Sequence, residues 1–326
     1  MSNLLESRTF FKPFHYPWAY DAWLASSQSH WLHTEVQMLD DVKDWKQKLS
    51  DPEKHFLTNI FRFFTQGDID VSEGYVENYL PFFKHPEIRM MLLGFAEREA
   101  LHIAAYSHLI ETLGMPDSMY EEFMDYVSMK EKHDYIFETS ANNRSDKTSI
   151  ARNIAVFSAF TEGMQLFSSF IMLLNFPRHG KMKGMGQIIS WSVADESCHT
   201  EGMIRLFRTF VEENPEIWND DLKGQIYSIS EKMVELEDKF IDLCFEMGPM
   251  EDLTADQVKK YIRYICDRRL ISLGLKGINK VKRNPLPWVE EYLNAPTHAS
   301  FFETRSTDYA KGALTGSWGD VWGKAK

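Results

Sequence analysis

Two Glu-x-x-His motifs, Glu99 to His102 and Glu196 to His199, are the residues in this chain most suited to chemistry. Residues three apart on an α-helix point about 60° from each other around the helix axis, so each motif presents both side chains to one side. Either motif alone is a weak signal. With 11 histidines in the chain, about one such pair is expected by chance, and it could be a solvated ion pair.

Both motifs stand among apolar residues, which raises their significance. Glu99 has Phe95 and Leu101 nearby, and Glu196 follows Ile189 and Val193 at helical spacing. Burial of an unpaired carboxylate costs several kcal/mol, so a buried acid needs a positive partner. Two further acids have similar surroundings, Asp68 and Glu162. Four acids and two histidines on four helices therefore need a common positive partner.

A pair of divalent metal ions is the economical partner. Four-helix bundles hold two metals with one carboxylate from each of two helices and Glu-x-x-His from each of the other two. Mixed carboxylate and imidazole ligands suit iron or manganese better than soft metals. The sequence therefore predicts a dinuclear metal site. The alternative is a set of buried acids that arginine and lysine neutralise.

Helical patterns must position these residues. Asp51-Pro52 resembles an N-cap followed by proline at the first helical position, and Thr254 to Gln257 has a capping-box pattern. Apolar spacing and stop signals predict helices over about 51–80, 86–114, 148–175, 184–213, 220–247 and from 255 onward. Neither an alternating strand pattern nor an internal repeat is found. We expect an all-α bundle in one domain, residues 1–305, and a flexible glycine-containing tail, residues 306–326.

The composition excludes several classes of protein. The net charge of -12 and pI near 5.4 argue against nucleic-acid binding, which needs clustered basic residues. Three cysteines without a CxxC spacing predict a reducing, cytoplasmic location. The N-terminus lacks a signal-peptide pattern. The longest apolar stretch, near 167–176, is well short of the roughly 20 residues that a membrane helix needs.

The order of the candidate ligands resembles one family, the small subunit of class I ribonucleotide reductase, a ferritin-like helical protein. The steps of 31 residues from Asp68 to Glu99 and of 34 from Glu162 to Glu196 match its spacing, and the resemblance covers roughly residues 10–310. It implies that Glu99 and Glu196 bridge two metals. One metal would also be held by Asp68 and His102, the other by Glu162 and His199.

The resemblance also assigns redox residues. Tyr106, four residues after His102, stands where the family places its radical-bearing tyrosine. Trp31 resembles the tryptophan that connects the metal site to the protein surface through Asp195 and His102. Without a metal site, Tyr106 and Trp31 would be interpreted as aromatic residues packed in the core.

The C-terminal region carries a further match and a departure. Glu303 and Tyr309 keep the six-residue separation that the family shows between a glutamate and the tyrosine that passes the radical onward. Family tails often end in an acidic stretch, whereas this one ends in Trp322-Gly-Lys-Ala-Lys. A second departure is Ser192, where a large aliphatic side chain is usual beside the tyrosine. Cys198, inside the second motif, points off the ligand face and is interpreted as a packing residue.

The resemblance implies a radical-generating subunit with two metals, two irons in the first instance, with Mn/Mn or Mn/Fe as alternatives. It would use O2 and pass the radical to a large subunit docked through the tail. It implies a homodimer and leaves open whether a flavoprotein activator is needed. Three alternatives remain. They are a dimetal oxygenase acting on an organic substrate, an iron-storage shell and a metal-free scaffold. The oxygenase would need neither Tyr106 nor the tail residues Glu303 and Tyr309.

Overall fold

A computed structural model describes residues 3–141 and 146–293 of the chain. Those residues form α-helices and shorter helical segments, and the part described contains no strand beyond an isolated bridge between Met250 and Leu253. The unit that spans residues 1–286 contains α1 Pro17–Gln28, α2 Leu39–Lys43, α3 Asp51–Glu73, α4 Pro86–Leu113, α5 Val127–Ala141, α6 Lys147–Ile154, α7 Leu166–Arg178, α8 Lys183–Glu213, α9 Asp220–Cys244 and α10 Ala255–Ser272. The all-α prediction is confirmed.

The predicted helices are all present, but the first begins differently. Ser50, rather than Asp51, is the N-cap of α3. Its hydroxyl accepts a hydrogen bond from the backbone N–H of Glu53 at 3.4 Å, and the Glu53 carboxylate accepts one from the Ser50 N–H at 2.8 Å. This reciprocal pair satisfies two free donors, which explains why serine occupies the cap. The capping box at Thr254 and Gln257 is confirmed.

Two of the predicted helices contain π-helical stretches. After α3 the chain continues as a π-helix over Gly74–Tyr79, and α6 and α7 are joined by a π-helix over Ala155–Gln165. The π-helix has i→i+5 hydrogen bonds and is frequent at functional sites. Pro177 lies inside the last turn of α7 instead of stopping the helix before it.

Four helical segments make up the centre of this unit: α3, α4, α8 and the continuous helix from α6 to α7. Each packs against at least two of the others. α4 begins with Pro86 and ends at Leu113. Gly114 caps it with a φ of 72°, the left-handed conformation that glycine adopts readily. The four segments converge on a common interior.

The continuous helix Lys147–Arg178 is long and apolar enough to cross a membrane by length and composition alone. Its most apolar stretch is completely buried within the described structure. A buried apolar helix of this kind is typical of a protein core.

A second unit comprises residues 287–326, of which the structure describes only α11, Pro287–Leu293. The predicted tail, residues 306–326, and the two residues Glu303 and Tyr309 lie outside the described residues. The predicted domain boundary at residue 305 therefore stays a prediction.

Candidate metal centre

The six candidate ligands meet in one buried cluster. Asp68 comes from α3, Glu99 and His102 from α4, and Glu196 and His199 from α8, while Glu162 comes from the π-helix between α6 and α7. Each of the six is at most 1% exposed. Their ligand atoms form two groups that could each hold a metal ion, Glu99 with Glu162, Glu196 and His199, and Glu99 with Asp68 and His102.

Glu99 and Glu196 lie between the two histidines. Glu99 Oε1 is 2.9 Å from His199 Nδ1, and Glu99 Oε2 is 3.4 Å from His102 Nδ1. Glu196 Oε1 is 3.2 Å from His102 Nδ1, and Glu196 Oε2 is 3.5 Å from His199 Nδ1. Each of these two carboxylates therefore presents one oxygen to each imidazole, as a bridging ligand would.

Many polar atoms of this cluster form no hydrogen bond within the part of the chain that the structure describes, although the carboxylates of Glu99 and Glu196 lie 2.9–3.5 Å from the imidazoles. They include both carboxylate oxygens of Glu99 and of Glu196, one oxygen each of Asp68 and Glu162, and Nδ1 of both histidines. Buried polar atoms without partners are rare in proteins, because each costs the free energy of desolvation. Oxygen and imidazole donors turned toward a shared interior fit a pair of iron or manganese ions.

Electrostatics lead to the same conclusion. Burial, together with the charge of a neighbouring glutamate, raises the pKa of Asp68 and of Glu162 well above the usual values. Burial also acts to raise the pKa of Glu99, but the adjacent imidazoles of His102 and His199 outweigh it and lower that pKa to about 2. Four carboxylates are too many for two imidazolium groups to balance, and divalent cations would balance the charge.

Tyr75 belongs to the site although the sequence pattern did not single it out. Its hydroxyl donates a hydrogen bond of 2.7 Å to Glu162 Oε1, and its ring packs against Phe95 and His199. Burial raises the pKa of Tyr75 well above its usual value, so the phenol stays protonated. The signal that could have found it is its spacing of seven residues, two helical turns, after Asp68.

Tyr106 is buried beside the cluster. Its ring stacks on Phe64 with centroids 4.5 Å apart and lies 6.3 Å from the ring of His102. Its hydroxyl has no hydrogen-bond partner among the described residues. Ser192, the departure noted in the sequence, donates its hydroxyl to the Ile188 carbonyl of its own helix at 3.1 Å. Its oxygen can still accept a hydrogen bond. Burial raises the pKa of Tyr106 well above its usual value, and the Ser192 hydroxyl acts to lower that pKa.

Trp31, Asp195 and His102 form a continuous buried chain. Trp31 Nε1 donates to Asp195 Oδ2 at 2.9 Å, and the same oxygen lies 3.3 Å from His102 Nε2. Trp31 is only 3% exposed, and on its other side it packs against Trp191, with ring centroids 5.2 Å apart. An acceptor on the outer nitrogen of an imidazole fixes the ring so that its inner nitrogen faces a metal.

Known proteins share this sequence and architecture. Residues 8–285 match the family described as "Ribonucleotide reductase, small chain". A probable ribonucleoside-diphosphate reductase small subunit from Invertebrate iridescent virus 3 is 53% identical, and the alignment covers 97% of this chain and 88% of that protein. The match to the family extends over most of the chain.

Two solved structures share the fold. The ribonucleotide reductase R2 subunit of Clostridium botulinum superposes with a TM-score of 0.82 at 20% identity, over 90% of this chain and 94% of that one. The dimanganese(II) NrdF of Streptococcus sanguinis superposes with a TM-score of 0.77 at 21% identity, over 89% of this chain and 100% of that one. The family match over residues 8–285 and the 53% identical viral relative show that the chain belongs to the ribonucleotide reductase small-chain family.

Proposed function

We propose that the six clustered residues hold two iron or manganese ions, and that the chain uses O2 to form a radical on Tyr106 and passes it to a large subunit. The observation that carries this proposal is the set of buried oxygens and imidazole nitrogens without hydrogen-bond partners among the described residues. Within the proposal, Glu99 and Glu196 bridge the two ions. Asp68 and His102 complete one half of the site, and Glu162 and His199 the other, in keeping with the two groups that the ligand atoms form.

Tyr106 is suited to lose an electron and its phenolic proton. Bound at the cluster, a pair of redox-active metals would supply a one-electron oxidation at the expense of O2. Phe64 covers the face of the Tyr106 ring, and the residue is only 3% exposed. Such surroundings keep water and reductants away from a phenoxyl radical. Tyr106 is therefore the storage site in this proposal.

Trp31 and Asp195 provide the first steps of an exit path. The contacts from His102 through Asp195 to Trp31 are hydrogen-bond distances of 3.3 and 2.9 Å, short enough for an electron and a proton to move together. The remainder of the path would involve Tyr309, with Glu303 near it. Both are proposed from the sequence alone, because they lie outside the described residues.

The partner is a ribonucleotide reductase large subunit, where the radical would start the reduction of ribonucleotides. We propose that the tail, residues 306–326, docks on it, and that two copies of this chain form a homodimer. The cytoplasm is the proposed location, and the three cysteines, which form no disulfide with one another, agree with it. A small flavoprotein that activates the metal centre is kept as a further candidate partner.

Metal analysis tests the ligand assignment. Full-length protein would be loaded with Fe(II) or Mn(II), and bound metal measured per chain for wild type, Glu99→Ala and Glu196→Ala. We expect two ions in wild type and loss of both in each variant, with helicity kept because the apolar faces remain. Glu97→Ala is the matched control, since Glu97 lies on the same helix with an exposed side chain. Two tightly held ions in Glu99→Ala would overturn the assignment.

A further inference from the structure

We propose that a surface cavity between α8 and α10 is a binding site for a polyphosphate anion, a chain of phosphoryl groups either free or at the end of a nucleotide. The cavity has a volume of about 700 Å³. Arg205 and Arg208 of α8 and Arg268 and Arg269 of α10 line it, and Trp18 of α1 closes one side. It is a different site from the buried cluster of acids and histidines, and the proposed radical chemistry does not use it.

The charge of this cavity opposes that of the whole protein. The chain carries a net charge of -12, yet four arginines face two glutamates, Glu201 and Glu212, in the cavity. The local net charge is therefore +2. A concave basic surface of this kind concentrates anions locally even on an acidic protein.

None of these four guanidinium groups has a carboxylate oxygen within 4.0 Å among the described residues, in contrast to other arginines of the chain. Arg62 lies 2.6 Å from Glu122, and Arg263 lies 2.6 Å from Asp238. The four cavity arginines thus keep their charge available to a ligand.

Aromatic rings and one carbonyl hold three of the guanidinium groups in place. The ring contacts, with guanidinium carbon to ring centroid distances of 5.3, 5.6 and 5.3 Å, are Arg205 on Trp18, Arg268 on Tyr264 and Arg269 on Phe167. A ring occupies the face of a guanidinium and leaves its N–H edge available. One nitrogen of Arg268 donates to the Tyr264 hydroxyl at 3.4 Å and Nε of Arg269 donates to the Gly163 carbonyl, so these two arginines keep only part of that edge free. The free edge is the part that forms paired hydrogen bonds to phosphoryl oxygens.

The number and spread of the arginines favour a chain of phosphates over a single one. One phosphate can accept paired hydrogen bonds from one or two guanidinium groups. Four of them on two helices offer more N–H donors than a single phosphate can use. Several linked phosphoryl groups would engage both helices at once.

Arg269 has a second role that limits how the site can be tested. Its Nε donates a hydrogen bond of 2.6 Å to the carbonyl of Gly163, next to Glu162. A Cβ added at Gly163 would lie 2.8 Å from Arg269 Nε and 2.9 Å from Thr200 Cγ2. Substitution of Arg269 would therefore disturb the segment that bears a candidate metal ligand. The exposed arginines Arg205 and Arg208 are the appropriate targets.

Equilibrium dialysis of the full-length, metal-loaded protein tests the site, with tripolyphosphate as the first probe at about 150 mM salt. We expect one tripolyphosphate per chain in wild type. The double variant Arg205→Gln/Arg208→Gln should bind it at least about tenfold more weakly, because two charged donors are lost. The control Lys260→Gln/Arg283→Gln changes charge equally at exposed positions outside the cavity and should bind like wild type. Metal content is measured before and after, since tripolyphosphate also chelates metals.

A second probe distinguishes the two sources of a phosphate chain. If ATP and tripolyphosphate bind equally, the phosphates alone are recognised, and if ATP binds more tightly, the nucleoside adds contacts such as one to Trp18. Either result supports the site. Absence of saturable binding for both probes would overturn it, as would an equal loss of binding in the cavity variant and the control. Binding of an oligoglutamate peptide without binding of either phosphate probe would also overturn it.

Discussion

The phenol of Tyr75 donates a hydrogen bond of 2.7 Å to Oε1 of Glu162, and Oε2 of the same carboxylate has no partner among the described residues. The tyrosine thus holds one oxygen of a candidate metal ligand and directs the other. Residues that orient a ligand commonly change metal affinity by about 10- to 100-fold when substituted.

Tyr75→Phe should therefore bind the more weakly held of the two metal ions about tenfold less tightly, while the protein stays folded. Titration with Mn(II) against a competing chelator measures this. Tyr79→Phe is the matched control, because the Tyr79 hydroxyl bonds to the Asn153 carbonyl at 3.3 Å and is equally buried. Equal metal affinities for Tyr75→Phe and Tyr79→Phe would contradict the positioning role.

Trp31→Phe should retain both metals and the Tyr106 radical but lose nucleotide reduction in the presence of the large subunit. The substitution removes the N–H that Asp195 accepts at 2.9 Å, so the chain of contacts from His102 is interrupted. Turnover and the radical signal would be measured on the same sample. Trp45→Phe serves as control, since Trp45 packs on Phe61 away from this chain of contacts. Wild-type turnover by Trp31→Phe would rule out this exit path.

Lys132 and Glu237 form a buried ion pair of 2.7 Å, and the ammonium lies 3.8 Å from the Phe63 ring centroid. Lys132→Met should lower the free energy of unfolding by about 3–5 kcal/mol, because Glu237 is left buried and unpaired. Lys132→Met/Glu237→Gln should recover part of this loss. Denaturant unfolding gives both values, and a double variant less stable than the single one would contradict the explanation.

The loss in free energy of unfolding that Lys132→Met causes should depend on pH. Burial raises the pKa of Glu237 above its usual 4.5, so the folded state favours the protonated acid. A raised acid pKa gives stability that is present below about pH 4.5 and lost as the pH rises through the folded-state value. In wild type the Lys132 ammonium acts to lower this pKa, so the pKa of Glu237 is higher still in Lys132→Met. The stability of the variant should therefore approach that of wild type at acid pH and fall further below it as the pH rises. A pH-independent deficit would indicate lost packing instead.

Removal of residues 306–326 should abolish nucleotide reduction and leave metal content and the radical unchanged. Trp318 and Trp322 are large apolar residues among four glycines, a pattern that suits a segment that orders on a partner. A peptide copying residues 313–326 should compete for the large subunit, and one with both tryptophans replaced by Ala should compete far less. Full activity of the truncated protein with saturating large subunit would refute the tail's role.

The sequence predicted the candidate ligands because their signal is local. Glu-x-x-His spacing, apolar neighbours and four helical patterns are each read within one helix, and the structure brings Glu99, His102, Glu196 and His199 together as that pattern requires. The sequence predicts the N-cap of α3 at Asp51, one residue after the observed N-cap, Ser50. Serine and aspartate are both good N-caps, and the choice between them depends on the reciprocal hydrogen bonds between Ser50 and Glu53.

Other features depend on residues distant in the chain. The π-helix that carries Glu162 packs against α8, α9 and α10. These elements are distant in sequence, so no pattern within the segment itself predicts the π-helix. Tyr75 reaches Glu162 across 87 positions of sequence. The arginine cavity unites residues of α8 and α10 that come together only in the folded chain. Such contacts are set by tertiary structure, which composition and spacing do not specify.

Electron paramagnetic resonance of the full-length protein, loaded separately with Fe(II) and with Mn(II) and exposed to air, tests the central claim most directly. We predict a tyrosyl radical in wild type with at least one of the two metals. Tyr106→Phe, which keeps all six candidate ligands, should bind two metals and consume O2 but show no such signal. A tyrosyl radical of wild-type intensity in Tyr106→Phe, or none in wild type with either metal, would contradict the assignment of Tyr106 as the radical site.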